Sequence, residues 1–323
     1  MASLKEIKNR IASVNSTRKI TSAMKMVASS KLHHAQVMIE NMLPYEEMLE
    51  HILKTFLASE ADARTIYSEE RPVKNVAVIV YSSNSSLCGG FNANIIKALQ
   101  HCVDEYAPIV GKENILVYPI GRKVAEKVTK LGLKSAGDFN DVCDHPNTAK
   151  CIEIAEDVAK RFADGEIDKV EIIYHHFKSA GSQILTRKTY LPIDITSIDF
   201  DADKGRDLTT VAATKESIEY MKKNVQEQEE RETTAVKPLN DNFIVEPDMD
   251  SVLTSLIPRY LNLMVYTALL DSNASEHAAR MVAMQTATDN ADELLRSLNL
   301  LYNNLRQQSI TNELLDLAGG SQN

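Results

Sequence analysis

The sequence predicts an α/β protein. Two long terminal helices form an antiparallel coiled coil, and a doubly wound α/β domain fills the middle. Three observations predict it. Arg259 to Ala318 contains neither glycine nor proline, a run far longer than the ordinary globular helix of about 11–12 residues. Met1 to Leu43 is equally free of both. Between these stretches, strand-like apolar runs alternate with helix-like ones, the pattern of a sheet covered on both faces.

The first helix, the N-terminal arm of the coiled coil (1–60), is expected from residue 3 to about 57. Ser3 is a good N-cap, and Glu6 completes a capping box. Leu4, Ile7, Ile11 and Val14 set an apolar seam, and Leu32, Ala35, Ile39 and Met42 carry it on. Ile20, Met24 and Val27 read as a continuation in shifted phase, a stutter in the heptad. Pro44 is expected to kink the helix or to mark its boundary. Lys5 to Lys31 holds seven Lys/Arg against one Glu, usually a solvated face, otherwise a surface for nucleic acid or for an acidic protein. His33 and His34 are adjacent, so they point to different sides of a helix and read as surface residues.

The central domain (73–195) is expected to be Rossmann-like. Strands are expected at Val73–Ser83, Asn114–Ile120, Val170–Phe177 and Ile184–Ile193, and helices at Phe91–Ala107, Gly121–Leu131 and Thr148–Ala163. An acidic inserted linker with one charged helical run follows at 199–247. The C-terminal helix (248–320) is then capped by Asp248 or Asp250, with Pro258 as an early kink. Its seam runs through Ala274, His277, Met281, Met284, Thr288, Ala291, Leu295, Leu298, Tyr302 and Leu305 at spacings of three and four. That period is the mark of a left-handed coiled coil, although a buried bundle helix reads similarly. Each terminal seam is too narrow to be stable alone, so the two helices are expected to pair.

Composition excludes several functions. A net charge of −9 gives no reason to expect nucleic acid as a partner. Cys88, Cys102, Cys143 and Cys151 form no CxxC pair and read as reduced thiols. No metal constellation is evident, and no cofactor is expected. No apolar run reaches the length needed to span a bilayer, and the N-terminus lacks the pattern of a signal peptide. The glycine-rich loop Ser82 to Asn92 stands between a strand and a helix, where phosphates bind. It matches neither GxxxxGK[ST] nor GxGxxG and has no lysine, so a tight βα turn is the simpler reading. A Cys88 nucleophile with His175 or His176 as base is the enzymatic alternative.

Three segments carry a resemblance. Ile7 to Ala35, the run Leu87-Cys88-Gly89-Gly90-Phe91-Asn92, and Glu276 to Gly320 resemble the signatures of the γ subunit of F-type ATP synthases. The resemblance implies a non-catalytic rotor shaft turning inside a ring of α and β subunits. Its globular domain would rest against the ε subunit and the c-ring, peripheral to the cytoplasmic face of a bacterial inner membrane and not inserted in it. It implies rotor contacts to β at Met24, Arg280, Arg306, Gln307 and Thr311. It also places Met24 and Arg280 at similar height, so that residues at equal height sum to about 304. Arg306 and everything beyond about Asn303 would then protrude as a single helix. Chloroplast relatives carry a redox cysteine pair in the inserted region; residues 199–247 contain no cysteine, so that switch is not expected. Outside the resemblance, the alternative is a coiled-coil scaffold carrying an α/β interaction module.

Overall fold

The computed structural model describes residues 3–59, 66–193, 245–246 and 248–320. The acidic insertion expected at 199–247 therefore lies outside the described residues, apart from Val245 and Glu246. The chain divides into two compact units: Met1–Ser30 with Arg280–Asn323, and Lys31–Ala279.

Helix α1 spans Leu4–Ser59. The Glu6 N–H donates to Ser3 Oγ at 3.2 Å, the N-cap bond anticipated from the sequence. The helix runs on through Pro44, so the expected boundary there is absent. The last helix, α6, spans Met249–Gly320 and includes Pro258. Asp248 caps it: its carboxylate accepts the Ser251 N–H at 2.8 Å.

In the first unit the ends of α1 and α6 pair antiparallel. Thr21 Oγ1 lies 2.8 Å from Thr288 Oγ1, and Arg18 bridges Asp292 at 2.9 Å. Burial along α1 corrects the expected stutter. Leu4, Ile7, Ile11, Val14, Arg18, Thr21, Lys25, Ala28, Leu32, Ala35, Ile39 and Met42 are all buried or half-buried, an unbroken alternation of three and four. Ile20 and Val27 are off it, 60% and 58% exposed. Their apolarity suggested an inward phase, but the backbone period puts Thr21 and Ala28 on the seam instead. All ten seam positions expected on α6 are buried or half-buried.

The second unit is built on a five-stranded sheet of order β3-β2-β1-β4-β5. Strands β1 (Val76–Tyr81), β2 (Ile115–Ile120), β3 (Lys134–Ser135) and β4 (Lys169–Ser179) run parallel, and β5 (Ser182–Leu191) returns antiparallel to β4. Every residue of β1 is buried, as expected for a central parallel strand covered on both faces. Val76, Val78, Val80, Val117 and Ile173 pack beneath α2 (Phe91–Val110) and α3 (Arg122–Leu131). Ala77, Ile79, Tyr81, Tyr118 and Ile172 face the opposite core, with α5 (Thr148–Ala163) and the apolar sides of Leu49, Leu53, Leu253, Ile257 and Leu269. The short helix α4 (Asn140–Asp144) and the two-residue β3 had no sequence signal. Helix α2 continues three residues past Ala107, with Pro108 inside it.

Candidate functional site

The glycine-rich loop sits at the carboxyl end of β1, beside the point where strand order reverses between β1 and β4. Doubly wound folds bind ligands there. In this chain the loop closes on itself. Asn92 Oδ1 accepts the Ser83 N–H at 3.1 Å, and Asn92 Nδ2 donates to Ser85 O at 3.3 Å and Cys88 Sγ at 3.1 Å. The Phe91 N–H donates to Cys88 O. The first N–H groups of α3 are taken by the same loop: Arg122 N by Asn84 Oδ1, Lys123 N by Ser83 O, and Val124 N by Ser82 Oγ. Gly121 is required by this closeness, since a Cβ would stand 2.2 Å from Ser82 O at a φ of +106°. The loop's own serine and asparagine groups thus occupy donors that a phosphate would need.

Helix α6 fills the rest of this end of the sheet. Ser275 Oγ donates to His175 O at 3.1 Å, Asn273 Nδ2 to Cys143 O at 3.2 Å, and Tyr81 Oη to Val265 O at 2.8 Å. His176 Nδ1 lies 2.8 Å from Asp271 Oδ2. His175 stacks on Phe91 with ring centroids 4.5 Å apart, and burial pulls its pKa down to about 4, so it is neutral at physiological pH. Cys88 is buried, and its partners are Ser83, Ser85 and Asn92. Neither His175 nor His176 is among these partners, so the nucleophile–base contact considered for Cys88 is not made. Burial raises Cys143 well above the usual thiol range, and Cys102 and Cys151 to about 12, which leaves all three protonated.

Beneath α2, Glu171 of β4 is buried and accepts from Tyr106 Oη and from Arg187 of β5. Burial works to raise its pKa, but the hydrogen bonds from Arg187 and Tyr106 prevail and hold it below the usual carboxylate value. Arg187 also binds Glu105 at 2.7 Å. This network pins the edge strand to α2.

The residues expected to touch β lie in the helix-pair unit. Met24 and Arg280 are half-buried. They are not at equal height: the Thr21–Thr288 and Arg18–Asp292 pairs give a constant sum of 309 to 310, not about 304. The level inferred from resemblance was off by about five residues, or roughly 8 Å along the axis. Arg306 then stands level with Ser3, where α1 begins. Arg306, Gln307 and Thr311 are exposed, and Thr311 Oγ1 donates to Gln307 O at 2.9 Å. Ile310, and beyond Thr311 Leu314 and Leu315, are exposed as well. Ile20, Met26 and Val27, which the seam reading turned inward or passed over, form a second apolar surface on α1.

Among the described residues no group of three or more His, Cys, Asp or Glu could hold a metal ion, and no helix is long and apolar enough to cross a membrane. A family model described as ATP synthase matches residues 3–323. The chain is 52% identical to the ATP synthase gamma chain of Phocaeicola vulgatus and 49% identical to that of Bacteroides thetaiotaomicron, over 99% of each chain. Among solved structures it is similar to a chain of the Euglena gracilis mitochondrial ATP synthase rotor (TM-score 0.56, 19% identity, 95% and 98% of the two chains). A second similar chain comes from the Tetrahymena thermophila central stalk and c-ring (TM-score 0.53, 24% identity, 83% and 99%). These two likenesses support the fold.

Proposed function

The chain belongs to the ATP synthase gamma-chain family, and on that premise we propose that it is the central rotor shaft of F1. It couples rotation of the membrane c-ring to conformational cycling of the catalytic β subunits, and it performs no catalysis itself. Its partners are the α and β subunits, the ε subunit and the c-ring, and it is peripheral to the bacterial inner membrane on its cytoplasmic face. The observation that carries this reading is the helix-pair unit. Its seam is narrow and partly polar, while large apolar side chains such as Ile20, Met26, Leu300 and Leu314 face outward. Exposed apolar surface of that extent belongs against partners.

The mechanism follows from asymmetry. The flank of α1 bearing Ile20 and Val27 differs chemically from the flank of α6 bearing Asp289 and Glu293. Chemically identical β subunits around such a shaft meet different faces. Each face shifts the balance between open and closed β, so nucleotide affinity follows shaft angle, and by linkage nucleotide binding biases the angle. Met24 and Arg280 would meet the moving lever of β. Arg306, Gln307 and Thr311 would meet a loop higher on it, with Arg306 donating charge-assisted hydrogen bonds to a carboxylate. The insertion at 199–247 would be peripheral to the rotary core, so a chain joining Asp199 directly to Asp241 should still assemble.

Reconstitution tests the reading. The purified chain alone should hydrolyse no ATP above background, and mixing it with purified α and β subunits should produce ATPase activity and ATP-driven rotation of a probe fixed to the chain. Turnover by the lone chain that Cys88→Ala abolishes, or failure to assemble with α and β, would overturn it.

A further inference from the structure

We propose that the β3 edge of the sheet unit carries a lysine cluster that holds this face against an anionic phospholipid surface. Lys127 and Lys130 lie on α3, which ends at Gly132. Gly132 adopts a left-handed conformation and turns the chain back, with its N–H donating to Thr129 O and the Leu133 N–H to Val128 O. That reversal delivers Lys134 onto β3, where it pairs in register with Leu116 of β2. Lys112 occupies the 3-10 turn that leads into the same strand. The 3-10 turn, α3 and β3 thus place four lysines around the amino ends of β2 and β3 and the end of α3 that returns to them. Lys112, Lys130 and Lys134 are exposed and Lys127 is half-buried. None of the four forms an ion pair or side-chain hydrogen bond among the described residues. The nearby carboxylates are Glu113, exposed beside Lys112, and Glu126, which already faces Arg122 and Lys123 at 3.8 Å each.

Simpler roles cover only part of the cluster. Lys130 complements the carbonyl end of α3, and Lys134 guards an edge strand. Neither role accounts for Lys112 or Lys127, or for the gathering of all four in a chain of net charge −9. A diffuse lipid surface fits better than an acidic protein for two reasons on the molecule. The four unpaired cations are all lysine, a point charge on a flexible stem, not the planar arginine fork that specific carboxylate docking favours. And between residues 112 and 135 no large apolar side chain is exposed; Ile109, at the end of α2 before Lys112, is the nearest in sequence, so the lysines surround no cluster of the apolar anchors typical of a protein interface. A third reason rests on the rotor reading: a turning body needs an attraction that slides, and delocalised headgroup charge supplies one without fixed partners.

Co-sedimentation of the full-length chain with vesicles tests this. Each lysine near an anionic surface is worth about fivefold in partitioning at low salt. The wild-type chain should pellet with phosphatidylcholine vesicles containing about a quarter phosphatidylglycerol, not with pure phosphatidylcholine, and about 0.5 M salt should release it. The combined variant Lys112→Gln, Lys127→Gln, Lys130→Gln, Lys134→Gln should bind at least about tenfold more weakly while keeping the wild-type circular dichroism and urea midpoint. A second combined variant, Lys5→Gln, Lys8→Gln, Arg10→Gln, Lys19→Gln, controls for the basic stretch of α1 and should bind as wild type. The proposal is overturned if the α3-edge variant binds normally, if only the α1 variant loses binding, if pure phosphatidylcholine binds equally well, or if the chain ignores vesicles and is retained by an immobilised polyglutamate peptide. Assembly with α and β and the resulting ATPase activity are read separately, so a failure here is distinguishable from a failure of the rotor reading.

Discussion

The two units solve the problem of apolar surface in opposite ways. In the sheet unit the largest side chains are inside: Tyr81, Tyr118, Phe162 and Phe177 are sealed in the cores above and below the strands. In the helix-pair unit the seam takes small and polar groups, Thr21, Ala28, Thr288 and Ala291, and an Arg18–Asp292 bridge, while Ile20, Met26, Val27, Leu294, Leu300 and Leu301 remain outside. Small seam residues let two backbones approach closely but remove little apolar area from water, at about 25 cal/mol per Å². The sheet unit is therefore held by its own core, whereas the helix pair leaves much of its large apolar surface outside. Ordinary burial logic reads the first correctly and misreads the second.

The largest effect expected is in the sheet unit. Phe162→Ala empties a fully buried site between α5 and the sheet and should cost about 3–5 kcal/mol in urea unfolding. Leu298→Ala, on the seam of the helix pair and in contact with solvent at its edge, should cost less than half of that. Equal losses would show that the pair has a core of the ordinary kind.

A smaller effect is expected at Glu171. Its pKa is held below the unfolded value by Arg187 and Tyr106 against the opposing effect of burial. The sign follows: the stabilisation is complete above the unfolded carboxylate pKa and is lost as pH falls through the folded one. Glu171→Gln should destabilise by about 2 kcal/mol near pH 7, and the gap to wild type should narrow as pH falls below about 4. A gap independent of pH would assign the loss to packing.

These contrasts explain what could be read without coordinates. Thr148–Ala163, the start of α2 at Phe91 and the caps at Ser3 and Asp248 were legible because local chemistry decides them: apolar period, small turn residues, and side-chain oxygens facing free N–H groups. The closed loop was legible in part, through its missing lysine; that Asn92 and Ser83 fill it depends on how β1, α2 and α3 meet. Strand β3 and helix α4 were too short and polar to carry a period. The phase of Ile20 and Val27 was misread because apolarity was taken as the mark of burial, whereas the backbone period decides which side chains face the seam, and it selects Thr21 and Ala28. Register failed for a related reason: a resemblance that names contacts to another protein does not fix which residues of the two helices face each other.

At the seam, smaller effects are expected. Thr21 Oγ1 lies 3.0 Å from Arg18 O and Thr288 Oγ1 lies 2.8 Å from Met284 O, in addition to their mutual contact. Each hydroxyl therefore keeps a backbone acceptor when the other is removed. Thr21→Val and Thr288→Val should each change stability by about 0.5–1 kcal/mol, and a double-mutant cycle should return a coupling below about 1 kcal/mol. A larger coupling would make this pair, and not the surrounding partners, the clamp that sets the register.

The smallest effect on the isolated chain is expected where the largest effect on the assembly is expected. Ile20→Gln together with Val27→Gln replaces two side chains that are more than half exposed, and Arg306→Ala removes an exposed cation level with the start of α1. Neither change empties a core, so the urea midpoint of the chain should move by no more than about 0.5 kcal/mol equivalent. In the complex reconstituted with α and β subunits, the same surfaces would be covered. Loss of apolar contact at Ile20 and Val27 should then lower the yield of assembled complex. If Arg306 makes the contact to β proposed for it, Arg306→Ala should leave assembly intact and weaken coupling, seen as ATP hydrolysis that drives less ion pumping per turnover in membranes. The two variants would separate the two roles proposed for the helix pair, one surface for being held and one end for transmitting torque. If Ile20→Gln with Val27→Gln destabilises the isolated chain by more than about 1 kcal/mol, those side chains are part of a self-contained core and the contrast between the two units fails.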